Sequence, residues 1–151
     1  MRLSAETLRA CCGSRRWVEL MSVSTPSVGG AEGLLAASNR AFDVLGRADW
    51  LEAFAAHSAI GAPRDGDLTG ASEQAGVQGD QSIRAVLAAA TLEYQRRFGF
   101  VFLIRAAGRS GAEILAALND RLDNTTETEF QNACDQQREI TALRMARLLP
   151  S

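Results

Sequence analysis

The sequence contains no lysine, since all 16 of its basic residues are arginine. A GC-rich genome accounts for such a bias, but the chemical consequence is the same whatever its origin. Without a lysine amine, the chain forms no Schiff base with a carbonyl substrate or with pyridoxal phosphate. It also lacks the phosphate-binding loop of the G-x-x-x-x-G-K-[ST] type. The glycines between positions 61 and 76 therefore do not form such a loop.

Histidine and cysteine are also scarce, with one histidine, His57, and three cysteines, Cys11, Cys12 and Cys134. An odd number of cysteines, two of them adjacent, argues against a framework of disulfide bonds. A zinc site needs several cysteine or histidine ligands at set spacings, and these spacings are missing. We therefore expect free thiols, no metal site and a reducing, cytoplasmic compartment.

A strong charge imbalance and a long apolar run are missing as well. The net charge is −2, whereas a nucleic-acid-binding domain is expected to present a basic face. Charges at Arg2, Glu6 and Arg9 argue against a signal peptide. The longest apolar run, 98–104, is too short to span a bilayer. We expect neither nucleic acid nor a membrane as a partner.

The composition that is present favours helices. The chain has 151 residues, of which 6% are aromatic, and it is rich in alanine and leucine, which predicts one all-α domain over residues 1–151. Apolar residues recur at helical spacing in most segments. We expect Ser4, Ser14 and Ser110 to begin helices and Gly46 to close one in the left-handed conformation. The predicted inward faces include Leu35, Val86 and Leu148.

Two segments interrupt the helical pattern. Residues 58–79 are rich in glycine and have little periodicity, and long irregular stretches of this kind in a small domain are often functional. Residues 100–105 are apolar and are compatible with an extended conformation. The last predicted helix covers about 127–149.

Four side chains are candidates for chemistry on position alone. His57 follows Phe54 by three residues and so lies on the apolar face at the end of its helix, where a catalytic role and a core or capping role are both open. Glu73 lies in the irregular stretch and is either solvated, a helix cap or functional. Arg97 ends the long helix, where basic residues complement the helix dipole. Arg144 shares an apolar stripe with Gln137, and either lines a cavity or extends outward to solvent.

Several segments carry motifs in a characteristic order. Residues 55–61 resemble H-P-x-I-G, residues 72–76 resemble E-Q-x-G, and residues 94–102 resemble Y-x-x-R-F-G-F-x-F. Segments 8–17, 108–110 and 140–145 complete the order. Together they resemble the decarboxylases of 2-oxo-4-hydroxy-4-carboxy-5-ureidoimidazoline (OHCU), over nearly the whole chain.

This resemblance implies an all-α fold, usually a homodimer, with no metal or organic cofactor. Members of the family convert OHCU, a small anionic compound derived from urate, into (S)-allantoin and carbon dioxide. The ring C=N next to the departing carboxylate accepts the electron pair, which agrees with a chain that has no lysine.

The resemblance also implies roles for particular residues. His57 is the catalytic acid or base, and Glu73 is its partner, holding the substrate hydroxyl. Gln74 forms hydrogen bonds with the polar ring or the ureido group. The remaining substrate-binding candidates include Ser58, the position after the histidine. They also include Arg97 and Arg144, which orient the anion or brace the site. Three backbone positions complete the set: Leu103, Ile104 and Arg105.

Two departures from the family pattern leave alternatives open. Ser58 replaces the usual proline after the histidine, and Gly70 replaces a frequent serine. The stretch between His57 and Glu73 is also short. One alternative is a helical binding module that has kept the fold and lost the activity. The other is a decarboxylase of a related imidazoline acid.

Overall fold

The computed structural model describes residues 3–24, 30–57, 81–105 and 108–148, and these residues form helices and connecting segments without a strand. The described helices, in chain order, are α1 (Ala5–Cys11), α2 (Arg15–Ser24), α3 (Gly30–Asp43), α4 (Arg47–Ala55), α5 (Gln81–Phe98), α6 (Gly111–Leu122) and α7 (Thr126–Leu148). The predicted all-α fold is confirmed. None of these helices is both long and apolar enough to cross a membrane.

The three predicted serine caps are present at helix starts. The Oγ of Ser4 accepts a hydrogen bond from a backbone N–H of α1 at 3.1 Å, and the Oγ of Ser14 accepts one from α2 at 3.2 Å. Ser110 forms a reciprocal capping box with Glu113 at the start of α6. Each cap satisfies N–H groups that have no partner within their own helix.

The predicted role of Gly46 is wrong. Its φ is −85°, and it precedes α4 as the N-cap, with its N–H donating to Oδ2 of Asp49 at 3.1 Å. The helix before it, α3, already ends at Asp43. Gly99 does close α5 in the left-handed conformation, with a φ of 86° and its N–H bonded to the Gln95 carbonyl at 2.8 Å. Glycine serves at both ends of helices, and its identity alone does not tell which.

One compact unit comprises Met1–Ala56 and Cys134–Ser151. Its core contains a row of aromatic rings, in which Phe42 lies 5.8 Å from Trp17 and stacks on Trp50 at 5.0 Å. The indole N–H of Trp17 donates to Oγ of the buried Ser38 at 3.2 Å, which satisfies both polar groups. Arg138 of α7 lies 5.3 Å above the Phe42 ring, which joins α7 to α3.

The other compact unit comprises His57–Ala133. Fully buried side chains join α5 to α6, among them Leu87, Ile114 and Leu118. The ring of Tyr94 lies 5.1 Å from that of Phe102 in an edge-on arrangement. Phe102 belongs to the segment 101–105, which has no regular secondary structure although its first four side chains are buried.

Three residues predicted to face inward are exposed instead: Leu35 by 44%, Val86 by 50% and Leu148 by 40%. Leu35 and Val86 each lie next to a buried leucine in the sequence. Neighbouring positions are rotated by about 100° around a helix, so only one of two adjacent apolar residues points into the core. Leu148 is the last residue of α7.

Candidate functional site

His57 lies two residues after the end of α4, whereas the apolar spacing predicted that it belongs to the C-terminal end of the helix itself. The preceding residue, Ala56, is the C-cap of α4, and its N–H donates to the carbonyl of Ala53 at 3.3 Å. The inward residues Trp50 and Phe54 are buried, and the imidazole of His57 is half-buried. A half-buried imidazole just beyond the carboxyl end of a helix is partly accessible to solvent or to a ligand.

Three predicted site residues, Ser58, Glu73 and Gln74, lie outside the described residues, as does Gly70. Among the residues that are described, no three histidine, cysteine, aspartate or glutamate side chains gather as metal ligands would.

Arg97 lies in the last turn of α5 and is exposed. Its Nη2 lies 3.5 Å from the carbonyl oxygen of Asn124, and its guanidinium carbon lies 5.2 Å from the ring centroid of Phe98. These contacts are long, so the guanidinium is only loosely held.

The segment 101–105 contains the three predicted backbone positions. Leu103 and Ile104 are buried and Arg105 is exposed. The carbonyl of Leu103 accepts from Nη1 of Arg121 at 2.8 Å, and that of Arg105 accepts from Nε of Arg109 at 2.9 Å. Within the described ranges, the N–H groups of Leu103 and Ile104 donate to no acceptor. These two N–H groups are therefore candidates to donate hydrogen bonds to a ligand.

A buried carboxylate near this segment was not predicted. Glu129 of α7 is fully buried, and its Oε1 accepts from the hydroxyl of Tyr94 at 2.6 Å and from Nε of Arg121 at 2.7 Å. Its Oε2 accepts from Nδ2 of Asn124 and of Asn132, each at 2.7 Å. Each oxygen of the Glu129 carboxylate therefore accepts two hydrogen bonds, which satisfies all four lone pairs of this buried group.

The protonation of this network follows from these contacts. Burial by itself raises the pKa of Glu129, but the hydrogen bonds from Asn124, Tyr94, Arg121 and Asn132 outweigh it, and the pKa is lowered. Burial and the hydrogen bond to Glu129 both raise the pKa of Tyr94. At neutral pH the network therefore consists of a carboxylate, a guanidinium and a neutral phenol.

The sequence did hold a signal for this network. Glu129 precedes Gln137 by eight residues, so it lies on the same inward face of α7, and Arg121 follows the buried Leu118 by three residues on α6. The helical spacing that singled out Gln137 and Arg144 also applies to these two residues.

Arg144 is half-buried in α7, and its Nη1 lies 3.5 Å from the carbonyl oxygen of Cys11. Gln137, on the same stripe, is fully buried and donates to Oγ1 of Thr141 at 2.9 Å. Thr141 in turn donates to the Cys11 carbonyl at 3.2 Å. These inward polar groups are paired, as burial requires.

The three cysteines, all within the described part of the chain, are free. Burial raises the pKa of Cys11 to about 11 and that of Cys12 to about 12, although the positive charge of Arg144 acts in the opposite direction on both. Thiols with such pKa values and no exposure are poor nucleophiles.

The chain matches known proteins over nearly its full length. The sequence model described as OHCU decarboxylase matches residues 3–146. The uric acid degradation bifunctional protein TTL of Arabidopsis thaliana is 33% identical over 156 residues, which cover 98% of this chain and 48% of that protein. The chain therefore spans about half the length of that relative. The 2-oxo-4-hydroxy-4-carboxy-5-ureidoimidazoline decarboxylase of Haloferax volcanii is 28% identical over 133 residues, or 86% of this chain and 79% of that protein.

Solved structures share the fold. A crystal structure of an OHCU decarboxylase in the presence of (S)-allantoin has a TM-score of 0.84 and 33% identity, and the match covers 97% of this chain and 98% of that one. A crystal structure of an (S)-allantoin synthase has a TM-score of 0.75 at 20% identity, covering 97% of this chain and 49% of that one. The second match concerns the fold alone.

Proposed function

The chain belongs to the OHCU decarboxylase family, and from this premise we propose that it catalyses the cofactor-independent decarboxylation of OHCU to (S)-allantoin. The observation that carries the proposal is the match, over 97% of this chain and 98% of the other, to an OHCU decarboxylase whose structure was determined in the presence of (S)-allantoin. The proposal concerns this one reaction and not the other activity of the bifunctional Arabidopsis relative.

The proposed reaction sets modest chemical demands. The bond between the ring carbon and its carboxylate breaks, carbon dioxide leaves, and the electron pair passes into the neighbouring ring C=N. A proton then completes the product. The protein has to hold the ring, orient the carboxylate and control the proton.

The residues proposed for these tasks follow the family resemblance. His57 handles the proton, and its half-buried place at a helix end supports this role. Glu73 holds the substrate hydroxyl, Gln74 bonds the ring or ureido group, and Ser58 borders the substrate. The N–H groups of Leu103 and Ile104 suit an oxygen of the substrate.

The arginines are proposed to act on the negative charge of the substrate. Arg97 and Arg105 are exposed, and Arg144 is half-buried. A guanidinium pairs well with a carboxylate, to which it can donate two parallel hydrogen bonds.

We further propose that residues 1–151 form one domain and that the protein is a cytoplasmic homodimer. The family match over residues 3–146 supports a single domain, and three free cysteines suit a reducing compartment. The homodimer rests on the family resemblance. Sedimentation velocity tests it, and a single species at the monomer mass of 16.2 kDa contradicts it.

The direct test uses freshly generated OHCU, and a reaction without protein gives the spontaneous rate. We expect the purified protein to speed the appearance of optical activity and to yield (S)-allantoin. Turnover should survive treatment with EDTA. Racemic product at the spontaneous rate would overturn the proposal.

A second candidate is a decarboxylase of a related imidazoline acid, and Ser58 at the position of the usual proline favours it. The same assay with such an acid distinguishes the two, since the better substrate has the higher kcat/KM. Binding of (S)-allantoin without turnover of either acid would instead indicate a binding module.

A further inference from the structure

The guanidinium of Arg121 connects three separate parts of its compact unit. Its Nε donates to Oε1 of Glu129 at 2.7 Å, its Nη1 to the carbonyl of Leu103 at 2.8 Å, and its Nη2 to the hydroxyl of Tyr94 at 3.4 Å. Only 14% of its side chain is exposed. Because the guanidinium is planar and its donors form a fixed fork, holding two of them determines the direction of the third.

Glu129 fixes this guanidinium in turn. Tyr94 and Arg121 donate to one of its oxygens, and Asn124 and Asn132 donate to the other. A carboxylate with strong donors on both oxygens cannot rotate without breaking some of these bonds. The Arg121–Glu129 pair is therefore a rigid support.

The support holds the carbonyl oxygen of Leu103, which belongs to the segment 101–105. Among the described residues, no strand lies beside this segment to align its peptide groups. The peptide bond between Leu103 and Ile104 is planar, so its C=O and N–H point in opposite directions. When Arg121 holds the carbonyl, the N–H of Ile104 points away from Arg121. Ile104 is buried, and its N–H meets no acceptor among the described residues. Buried N–H groups without a partner are rare in folded proteins.

We infer that Arg121, braced by Glu129, orients the Leu103–Ile104 peptide so that the N–H of Ile104 donates to a carbonyl or carboxylate oxygen of the substrate. This inference rests on the proposed decarboxylase function. Arg121 is a positioning residue, since it acts through the peptide group and not on the reacting atoms.

The test is Arg121→Lys, with OHCU as substrate. A lysine ammonium still pairs with Glu129, but it is a single charge without the fork and does not hold the Leu103 carbonyl at the same time. We expect the Ile104 hydrogen bond to hold the bound substrate and the transition state equally, so that its loss raises KM. We expect KM to rise about tenfold, with kcat changed by less than about twofold.

Asn132→Ala is the matched control. It removes one donor from Oε2 of Glu129, but Asn124 still donates to that oxygen, and Arg121 still donates to Oε1 and to the Leu103 carbonyl. The variant should therefore lower the melting temperature and leave KM unchanged. If the network only stabilises the fold, Arg121→Lys and Asn132→Ala should instead change KM in proportion to the stability that each variant loses.

A second variant changes the donor itself. Replacing Ile104 by its α-hydroxy acid analogue converts the N–H into an ester oxygen and alters no side chain, and it should raise KM at least as much. It decides the matter if Arg121→Lys does not fold. An unchanged KM in either folded variant, with an active wild type, overturns this inference alone. A wild type that does not turn over OHCU overturns the proposed function and this inference together.

Discussion

The Cβ of Ala56 occupies the space that a side chain at Gly13 would need. Gly13 separates α1 from α2, and Ala56 is the C-cap of α4, directly before His57. A glycine that directly follows a helix commonly adopts the left-handed conformation. Gly13 does not have a positive φ, and Cys12 is the C-cap of α1. The glycine is instead required for the close approach of two backbone segments.

Gly13→Ala should therefore destabilise the protein. A methyl group forced against the Ala56 methyl group costs about 1–3 kcal/mol, measurable by urea unfolding. The double variant Gly13→Ala with Ala56→Gly removes the opposing methyl group and should recover most of the loss. If the double variant is less stable than Gly13→Ala by the full cost of Ala56→Gly alone, the contact does not explain the glycine.

The buried carboxylate predicts a dependence of stability on pH. The pKa of Glu129 in the folded protein lies below its ordinary value of 4.5. Its stabilising contribution is thus fully present above about pH 4.5 and is lost as the pH falls through the folded pKa. Glu129→Gln should cost about 3–5 kcal/mol at pH 7, because it leaves Arg121 buried without its counter-ion. The difference from the wild type should shrink in melts below pH 4.5.

Glu127→Gln is the control for this experiment. Glu127 is exposed in the first turn of the same helix, where a substitution typically costs no more than about 0.5 kcal/mol. A constant difference between Glu129→Gln and the wild type from pH 7 to pH 3 would show that the charge of Glu129 does not contribute to stability.

The cysteines should be unreactive in the folded protein. Burial is the main cause that raises the pKa of Cys11 to about 11, and it raises those of Cys12 and Cys134 to about 12. Ellman's reagent at pH 8 should therefore modify no thiol in the native protein and three after unfolding. Rapid modification of a native thiol would mean that one of these sites opens to solvent.

Local chemistry explains which parts of the fold could be predicted from the sequence. The cap formed by Ser110 and Glu113 depends on residues three positions apart, and a short sequence pattern captures it. The family, inferred from the order of short motifs, is confirmed by the match over residues 3–146. Whether Gly46 closes the helix before it or begins the helix after it could not be predicted, because its backbone angles depend on how the chain packs on either side.

The site was predictable where it depends on position along one helix. The spacing placed His57 near the carboxyl end of α4, and it lies two residues beyond that end, but its role stays a prediction. The hydrogen bond from Arg121 to the Leu103 carbonyl joins residues that are 18 positions apart in the sequence. The hydrogen bond from Tyr94 to Glu129 joins residues that are 35 positions apart. Such pairings follow from tertiary packing, and helical periodicity shows only that each residue faces inward.

Arg144 provides a test of the site beyond the histidine. Arg144→Met should keep the fold, because methionine suits the apolar stripe of α7. Loss of a charged hydrogen-bond partner for the substrate should raise KM about ten- to hundredfold. The exposed Arg147 on the same helix is the control, and Arg147→Met should leave KM and the melt unchanged. If KM in Arg144→Met also stays unchanged, Arg144 only braces the Cys11 carbonyl.

The central prediction concerns His57 and Glu73, which we propose act as one unit on the substrate. His57 is the only imidazole in the chain, and imidazole is the side chain whose ordinary pKa lies near neutrality. A carboxylate in contact with an imidazole favours the protonated form of the imidazole, and that form can donate a proton or stabilise negative charge as carbon dioxide departs. His57→Asn and Glu73→Gln should each lower kcat about a hundred- to ten-thousand-fold, with melts like that of the wild type.

The double variant decides whether the two residues share one task. When two groups act as a unit, removing the second costs little once the first is gone. We therefore expect the kcat of His57→Asn with Glu73→Gln to lie close to that of the slower single variant. Losses that multiply would mean that the two residues contribute independently. If His57→Asn keeps nearly full turnover at saturating substrate, the proton is handled elsewhere, and the mechanism is wrong even though the chain belongs to the family.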